Sequence, residues 1–183
     1  MDEKKKEEGR TAGELVGELA SLREFFAYNV FVRRKYLDFM GGLPEETLTK
    51  DRGASYPSIL DIQTHILDVC RSWLHASETG EDSPELRGLT LAQVKELEAE
   101  VDDYAERFMR RLRPEDLEGS FQFTPGKGGG VVTIALREML WHMVEEELQH
   151  RGELNALLWQ DDIDPPVTDW FDWKQESSRT APG

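Results

Sequence analysis

Four long stretches of this 183-residue chain carry apolar side chains every three or four residues, and each is bounded by glycine or proline. That recurrence is the signature of amphipathic helices. The first stretch runs from about Ala12 to Met40 through Leu15, Leu19, Leu22, Phe26, Val30 and Leu37, and Gly41 with Gly42 ends it. The second begins after Pro57 and aligns Ile59, Ile62, Ile66, Val69 and Trp73. Thr90 and Gln93 stand at capping-box spacing before the third, whose stripe is Leu91, Val94, Leu97, Val101, Tyr104, Phe108 and Leu112, stopped by Pro114. The fourth spans about Thr133 to Gln160, between TPGKGGG and DDIDPP, with Leu136, Met139, Met143, Leu154 and Leu157 on its apolar face. Each stripe must be buried against another, and no long strand intervenes, so the expected fold is all-α, an antiparallel four-helix bundle. The run FQF near Phe121 has room for local strand pairing only. The expected organisation is a charged arm over residues 1–11, one bundle domain over 12–174 and a flexible tail over 175–183. Within TDWFDW, Trp170, Phe171 and Trp173 are expected to dock on the bundle.

Charge narrows the partners. With 22 Lys and Arg against 37 Asp and Glu the formal net charge is −15, which disfavours nucleic acid and anionic membranes, because both are bound by neutralising phosphate with basic side chains. The lone cysteine, Cys70, excludes a disulfide framework and a cysteine-built zinc site. MDEKKKEEGR holds no apolar segment of the secretory kind, and no stretch reaches the roughly 18 apolar residues of a membrane span. A soluble protein of the reducing cytoplasm is expected.

The chemistry-bearing anomaly is in the fourth stretch. Continuing its stripe beyond Met143 brings Glu146 and then His150 to the inward face. Burying two ionisable groups needs compensation, and Glu-x-x-x-His sets an oxygen and a nitrogen donor one turn apart on one face, a spacing suited to one divalent cation. His142 stands four residues before Glu146, but about 12 Å along the axis from His150, so only one of the two histidines can serve the same ion. His142 is then an outer donor to the site or a packed, satisfied histidine. A third ligand is offered by His65, between Ile62 and Val69 on the second stripe, whereas His75 falls near that helix's exposed end. Two imidazoles and one carboxylate are the donors of catalytic zinc sites and of the non-heme iron facial triad. Cys70 lies about 140° around the helix from His65 and reads as core filling. Asn29 and Arg33 occupy inward positions, either lining a pocket for an anionic substrate or forming a structural polar cluster. Glu145 and Glu147 are expected to face solvent. Lys127 in PGKGGG lacks the preceding strand and following hydroxyl of a phosphate loop, so it belongs to a connection.

These segments together resemble the DinB/YfiT-like superfamily of metal-binding four-helix bundles. LWHMVEEELQHRGELNALLWQDDIDPP is similar to its last helix, which typically carries His-x-x-x-His-Arg-Gly-Gln; SYPSILDIQTHILDVCRSWL is similar to its second helix; LREFFAYN and GLPEETL resemble its first helix and loop. The likeness extends from about Leu22 to Pro166. It implies ligands at His65 and His150, the latter beside Arg151 and Gly152, and it places Glu146 where the superfamily usually has histidine. That substitution makes the chain resemble the mycothiol-dependent maleylpyruvate isomerase branch, whose zinc triad is His, Glu and His. Glu153 replaces the superfamily's glutamine.

The resemblance implies a divalent metal, zinc first, with nickel, iron or manganese as alternatives, a low-molecular-weight thiol such as mycothiol or bacillithiol, a small-molecule substrate and a homodimer. The expected function is a metal-dependent enzyme, a thiol-dependent transferase or isomerase or a water-using hydrolase. A non-catalytic metal-binding bundle of a stress response is the alternative, separable by thiol-dependent turnover.

Overall fold

In the computed structural model, which describes residues 10–125 and 130–180, six α-helices, a 3-10 helix over Pro114–Glu118 and one short hairpin account for the regular structure. Residues 1–9 of the charged arm, residues 126–129 with Lys127, and residues 181–183 lie outside the described residues. Helix α1 spans Ala12–Met40, α2 Glu45–Thr49, α3 Ile59–Thr79, α4 Leu91–Arg111, α5 Leu136–Gln160 and α6 Trp170–Thr180. Local chemistry sets the ends. Thr11 with Glu14 and Thr90 with Gln93 close reciprocal capping boxes at the starts of α1 and α4, satisfying amides that have no partner within the helix. Ser58 caps α3, and Gly80 ends it in the left-handed conformation at φ 75°, where a Cβ would also meet the Gln122 carbonyl at 3.1 Å.

Helices α1, α3, α4 and α5 form the bundle around a core that includes Leu22, Met40, Ile62, Leu74, Val94 and Leu140. Side-chain pairs fix the helix directions. Arg23 near the start of α1 donates to the carbonyls of Met109 and Leu112 at the end of α4, while Arg33 further along α1 meets Asp102, so these helices run antiparallel. From Glu18–Arg137 through Arg33–Glu147 to Tyr36–Asn155, α1 and α5 advance together and are parallel. His65 opposite His150 and Trp73 opposite His142 make α3 and α5 antiparallel. It follows that α3 and α4 are parallel, as the shared contact of Glu78 with Tyr104 and Arg111 near their C-terminal ends also requires.

That order imposes a long return. Between α3 and α4 the chain must travel back along a 21-residue helix, about 31 Å at 1.5 Å per residue. Residues 81–90, which can reach roughly 33 Å at about 3.3 Å each, are long enough for the journey. They track α3 in reverse: the Ser83 hydroxyl donates to Ser72, Arg71 to the Pro84 carbonyl, and the Leu86 amide to Asp68.

Strand β1 (Ser120–Phe123) pairs antiparallel with β2 (Val132–Ala135), with Phe121 opposite Ile134. FQF is therefore a strand, and its partner occupies residues expected to start the fourth helix. That helix begins at Leu136, because Val132, Thr133 and Ile134 are β-branched and favour extended backbone. Trp173 is buried and Trp170 half-buried against Phe25 and Tyr28, whereas Phe171 is 77% exposed. Helix α6 continues through Thr180, across residues assigned above to the flexible tail. Among the described residues no helix is long and apolar enough to cross a membrane.

Candidate metal centre

The site lies where α3 and α5 face each other near mid-length. The Nε2 atom of His150 is 3.3 Å from Glu146 Oε2, and His65 Nε2 is 3.6 Å from the same oxygen. Donor atoms of all three residues lie within 4.8 Å of one another, and the two imidazole rings meet edge to face at 4.6 Å. Helical spacing explains the convergence: Glu146 and His150 stack one turn apart on α5, and His65 projects from the opposing helix. His150 is buried, and His65 and Glu146 are partly so.

The donor set fits a divalent ion. Zinc bonds of about 2.0–2.2 Å to nitrogen and oxygen in a tetrahedron separate neighbouring ligands by about 3.3–3.6 Å. The two separations from Glu146 Oε2 fall in that interval. Burial, and then the neighbouring His150, lower the His65 pKa, which favours the neutral, ligating imidazole at physiological pH. His150 presents its other nitrogen, Nδ1, to Glu153 Oε2 at 3.1 Å. A proton held on Nδ1 by that carboxylate leaves the Nε2 lone pair pointing at Glu146, an electron-rich meeting that a shared cation relieves.

Surroundings leave one side open. Tyr56, in the loop before α3, stacks on His65 at 4.0 Å and meets His150 edge-on at 5.7 Å. A cleft of about 690 Å³ adjoins His65, with Tyr56, Trp73 and Phe123 giving it aromatic surface and the extended segment around Ser83–Glu85 forming its far wall. The return of the chain along α3 is thus what encloses the approach to the site.

A sequence profile of the DinB family matches residues 15–180 of this chain. The chain belongs to the DinB family. Among its curated relatives, the uncharacterized protein YizA of Bacillus subtilis (strain 168) is 29% identical over 141 residues, covering 74% of this chain and 84% of that protein. Protein DinB of the same strain is 22% identical over 154 residues, covering 80% and 90%. The crystal structure of the DinB-like protein YjoA from Bacillus subtilis superposes with a TM-score of 0.57 at 15% identity, over 79% of this chain and 96% of that one, a likeness of fold.

Within this DinB-family bundle the remaining candidates take different places. His142 lies 3.7 Å from the other oxygen of Glu146 and 3.6 Å from Glu145, with its side chain 41% exposed and Trp73 edge-on to the ring. Its donors, with those of Glu145 and Glu146, form a second, more exposed grouping. Glu145 faces solvent as expected. His75 is half-buried and belongs to neither grouping. Cys70 fills the core, and burial pushes its thiol up to about 12.

Glu147 corrects the sequence reading. It is buried and accepts from Arg33 at 3.0 Å, while Arg33 also donates to Asp102 at 2.6 Å. Asn29 accepts from Arg151, which also donates to the Tyr28 hydroxyl. Arg33 and Asn29 therefore belong to an internal polar cluster between α1, α4 and α5, and Arg33 is engaged by carboxylates. The signal for Glu147 was present in the stripe, since it stands four residues after Met143 just as Glu146 stands three. Glu153, to which the sequence assigned no role, also carries the loop: it accepts from the Ser55 amide at 2.9 Å and from the Ser55 hydroxyl. Burial acts to raise the Glu153 pKa, but the bonds from Ser55 and His150 hold it below the ordinary value, so it stays an acceptor.

Proposed function

We propose that the protein is a metal-dependent enzyme of the transferase or isomerase type, in which His65, Glu146 and His150 hold one divalent cation and an external thiol or water reacts with a small molecule in the adjoining cleft. The observation carrying this reading is the convergence of two imidazole nitrogens on one carboxylate oxygen, each at tetrahedral ligand spacing from it, beside an open cleft. Zinc suits this donor set best, with nickel, iron and manganese as alternatives. When bound, such an ion lowers the pKa of a thiol or water and polarises carbonyl groups.

The chain's own residues supply the rest. Glu146 offsets one unit of the ion's charge, and His65 and Glu153-oriented His150 add neutral donors. Trp73 and Phe123 offer apolar faces for the substrate body. Cys70, buried and with its pKa near 12, is no nucleophile at neutral pH, so a thiol must come from outside, a role suited to bacillithiol or mycothiol. A cytoplasmic setting supplies such reduced thiols. A homodimer is part of the proposal, since Leu148 and Trp159 of α5 and Phe171 of α6 stand exposed.

The deciding experiment is elemental analysis of untagged protein purified without chelators, wild type beside His150→Ala. About one metal per chain in wild type and little in the variant is expected, followed by metal-dependent consumption of a thiol with an electrophile. Wild-type protein that stays metal-free after incubation with zinc and dialysis defeats the metal reading. Bound metal without turnover across a panel of thiols and electrophiles favours a non-catalytic binding bundle.

A further inference from the structure

One carboxylate bridges two parts of the molecule that the proposed function treats separately. Glu153 Oε2 faces His150 Nδ1 at 3.1 Å, and Glu153 Oε1 accepts the Ser55 amide at 2.9 Å. The Ser55 hydroxyl donates to Oε2, the oxygen that also faces the imidazole. The next residue, Tyr56, lays its ring on His65 at 4.0 Å and turns an edge of it to His150. A chain of direct contacts therefore runs from His150 through Glu153 and Ser55 to Tyr56 and back to His65.

The loop that carries Ser55 and Tyr56 is tied to the rest of the molecule at its base and, through Ser55, to Glu153. Its base is closed by the Arg52 amide donating to the Pro57 carbonyl at 2.8 Å and by the Arg52 guanidinium bound to Asp161 and to the Thr47 carbonyl. Between these anchors Gly53 adopts φ 62°, and Ser55 is exposed, so the Glu153 bonds are its main polar tie to α5.

We propose that Glu153 is a positioning residue of the metal centre and that, by holding Ser55, it makes the Gly53–Tyr56 segment a cover whose closure over His65 and metal occupancy are one coupled equilibrium. This inference rests on the metal reading of His65, Glu146 and His150. A ligating imidazole must keep its second nitrogen protonated and its ring fixed, and a carboxylate acceptor does both. Charge withdrawn from His150 by a bound cation makes the Nδ1 proton a stronger donor, which strengthens its bond to Glu153 and holds the carboxylate where Ser55 finds it. By linkage, whatever fixes Ser55 must in turn strengthen metal binding, although Ser55 touches no ligand. With the segment held, Tyr56 covers the face of His65 and forms part of the cleft that Trp73 and Phe123 also line.

The test is zinc titration against a competing chromophoric chelator for wild type, Ser55→Ala, Glu153→Gln and Glu153→Ala, with hydrogen exchange of residues 53–56 followed with and without zinc. Zinc affinity is expected to fall about 10- to 100-fold in Glu153→Ala, as for other carboxylates that orient metal-bound histidines. Ser55→Ala should lose several-fold, and Glu153→Gln, which keeps an acceptor, should recover part of the loss. Zinc should slow exchange at residues 53–56 in wild type and not in Glu153→Ala, a readout that general destabilisation would not produce. Stoichiometric zinc binding with unchanged affinity in Ser55→Ala and unchanged exchange at residues 53–56 overturns the coupling and leaves the metal reading standing. Failure of wild-type protein to bind zinc at all overturns both.

Discussion

Glu146 and Glu147 are adjacent and chemically identical, yet one faces the cleft site and the other the interior. A helix turns about 100° per residue, so Met143 has two successors on its face, and the opposing helices decide their roles. Across from Glu146 stands His65 on α3, with His150 one turn on along α5 itself; across from Glu147 stands Arg33 on α1. Burial raises the Glu147 pKa while Arg33 opposes the shift, so the carboxylate depends on that partner. Glu147→Ala removes one of two carboxylates from a guanidinium that is 3% exposed, and should cost about 3 kcal/mol in urea unfolding. Adding Arg33→Met together with Asp102→Asn, so that no buried charge of the trio is left without its partner, should recover much of that loss; equal destabilisation by the triple change would show that packing, not charge, sets the cost. The triad was legible because ligands at helical spacing interrupt an apolar stripe. Glu147 stood on the same stripe, but its charge suggested solvent and the partner that explains its burial lies 114 residues earlier in the chain. Glu153 escaped notice for a related reason: its meaning depends on a loop, and loops do not announce their contacts by periodicity.

Element boundaries follow the same division between local and distant causes. Capping boxes and terminal glycines are local, and the limits of α1 and α4 and the start of α3 agree with the sequence to within a residue or two, while α3 runs on past His75 to Thr79. The start of α5 does not, because Thr133 and Ile134 take their extended form in pairing with Gln122 and Phe121 across a loop. Nor does periodicity say which helices run parallel; that follows from residues 81–90 spanning the bundle rather than turning back at once. Helix α6 illustrates how aromatic residues divide their labour. Trp173 is buried beside Tyr28, the Tyr28 hydroxyl holds the Thr168 carbonyl at 2.6 Å, and Phe171 points outward. Trp173→Ala should therefore cost about 3 kcal/mol by chemical denaturation, against under about 0.5 kcal/mol for Phe171→Ala. A comparable loss at Phe171 in the isolated chain would mean that α6 packs on a different face.

On the scale of the whole molecule, a net charge of −15 means that carboxylates must be placed with little basic neighbourhood to spare. Glu98 on α4 shows the consequence. Burial, and after it the nearby Asp102, push its pKa from 4.5 up to about 7, and its Oε1 atom has no hydrogen-bond partner. The folded protein then holds a proton on Glu98 between those two values that the unfolded chain releases. Where the native state binds more protons, stability falls as pH rises. The penalty is absent below about pH 4.5, grows through the interval and is complete above about pH 7. A shift of that size would set a ceiling near 3 kcal/mol for a sealed site, but Glu98 is partly exposed and solvent screening reduces the effect to the order of 1 kcal/mol. Glu98→Gln resembles the protonated acid in shape and charge at every pH. Urea midpoints measured at pH 5 and pH 8 should coincide more nearly for the variant than for wild type, with the variant the more stable of the two at pH 8 and little different at pH 5. A variant less stable than wild type at pH 8 would mean that the ionised carboxylate is held by Arg33 and Arg34, the cations acting on it, strongly enough to outweigh its burial, and the acidic surface would then be stabilised by pairing where the present structure has it tolerated by protonation.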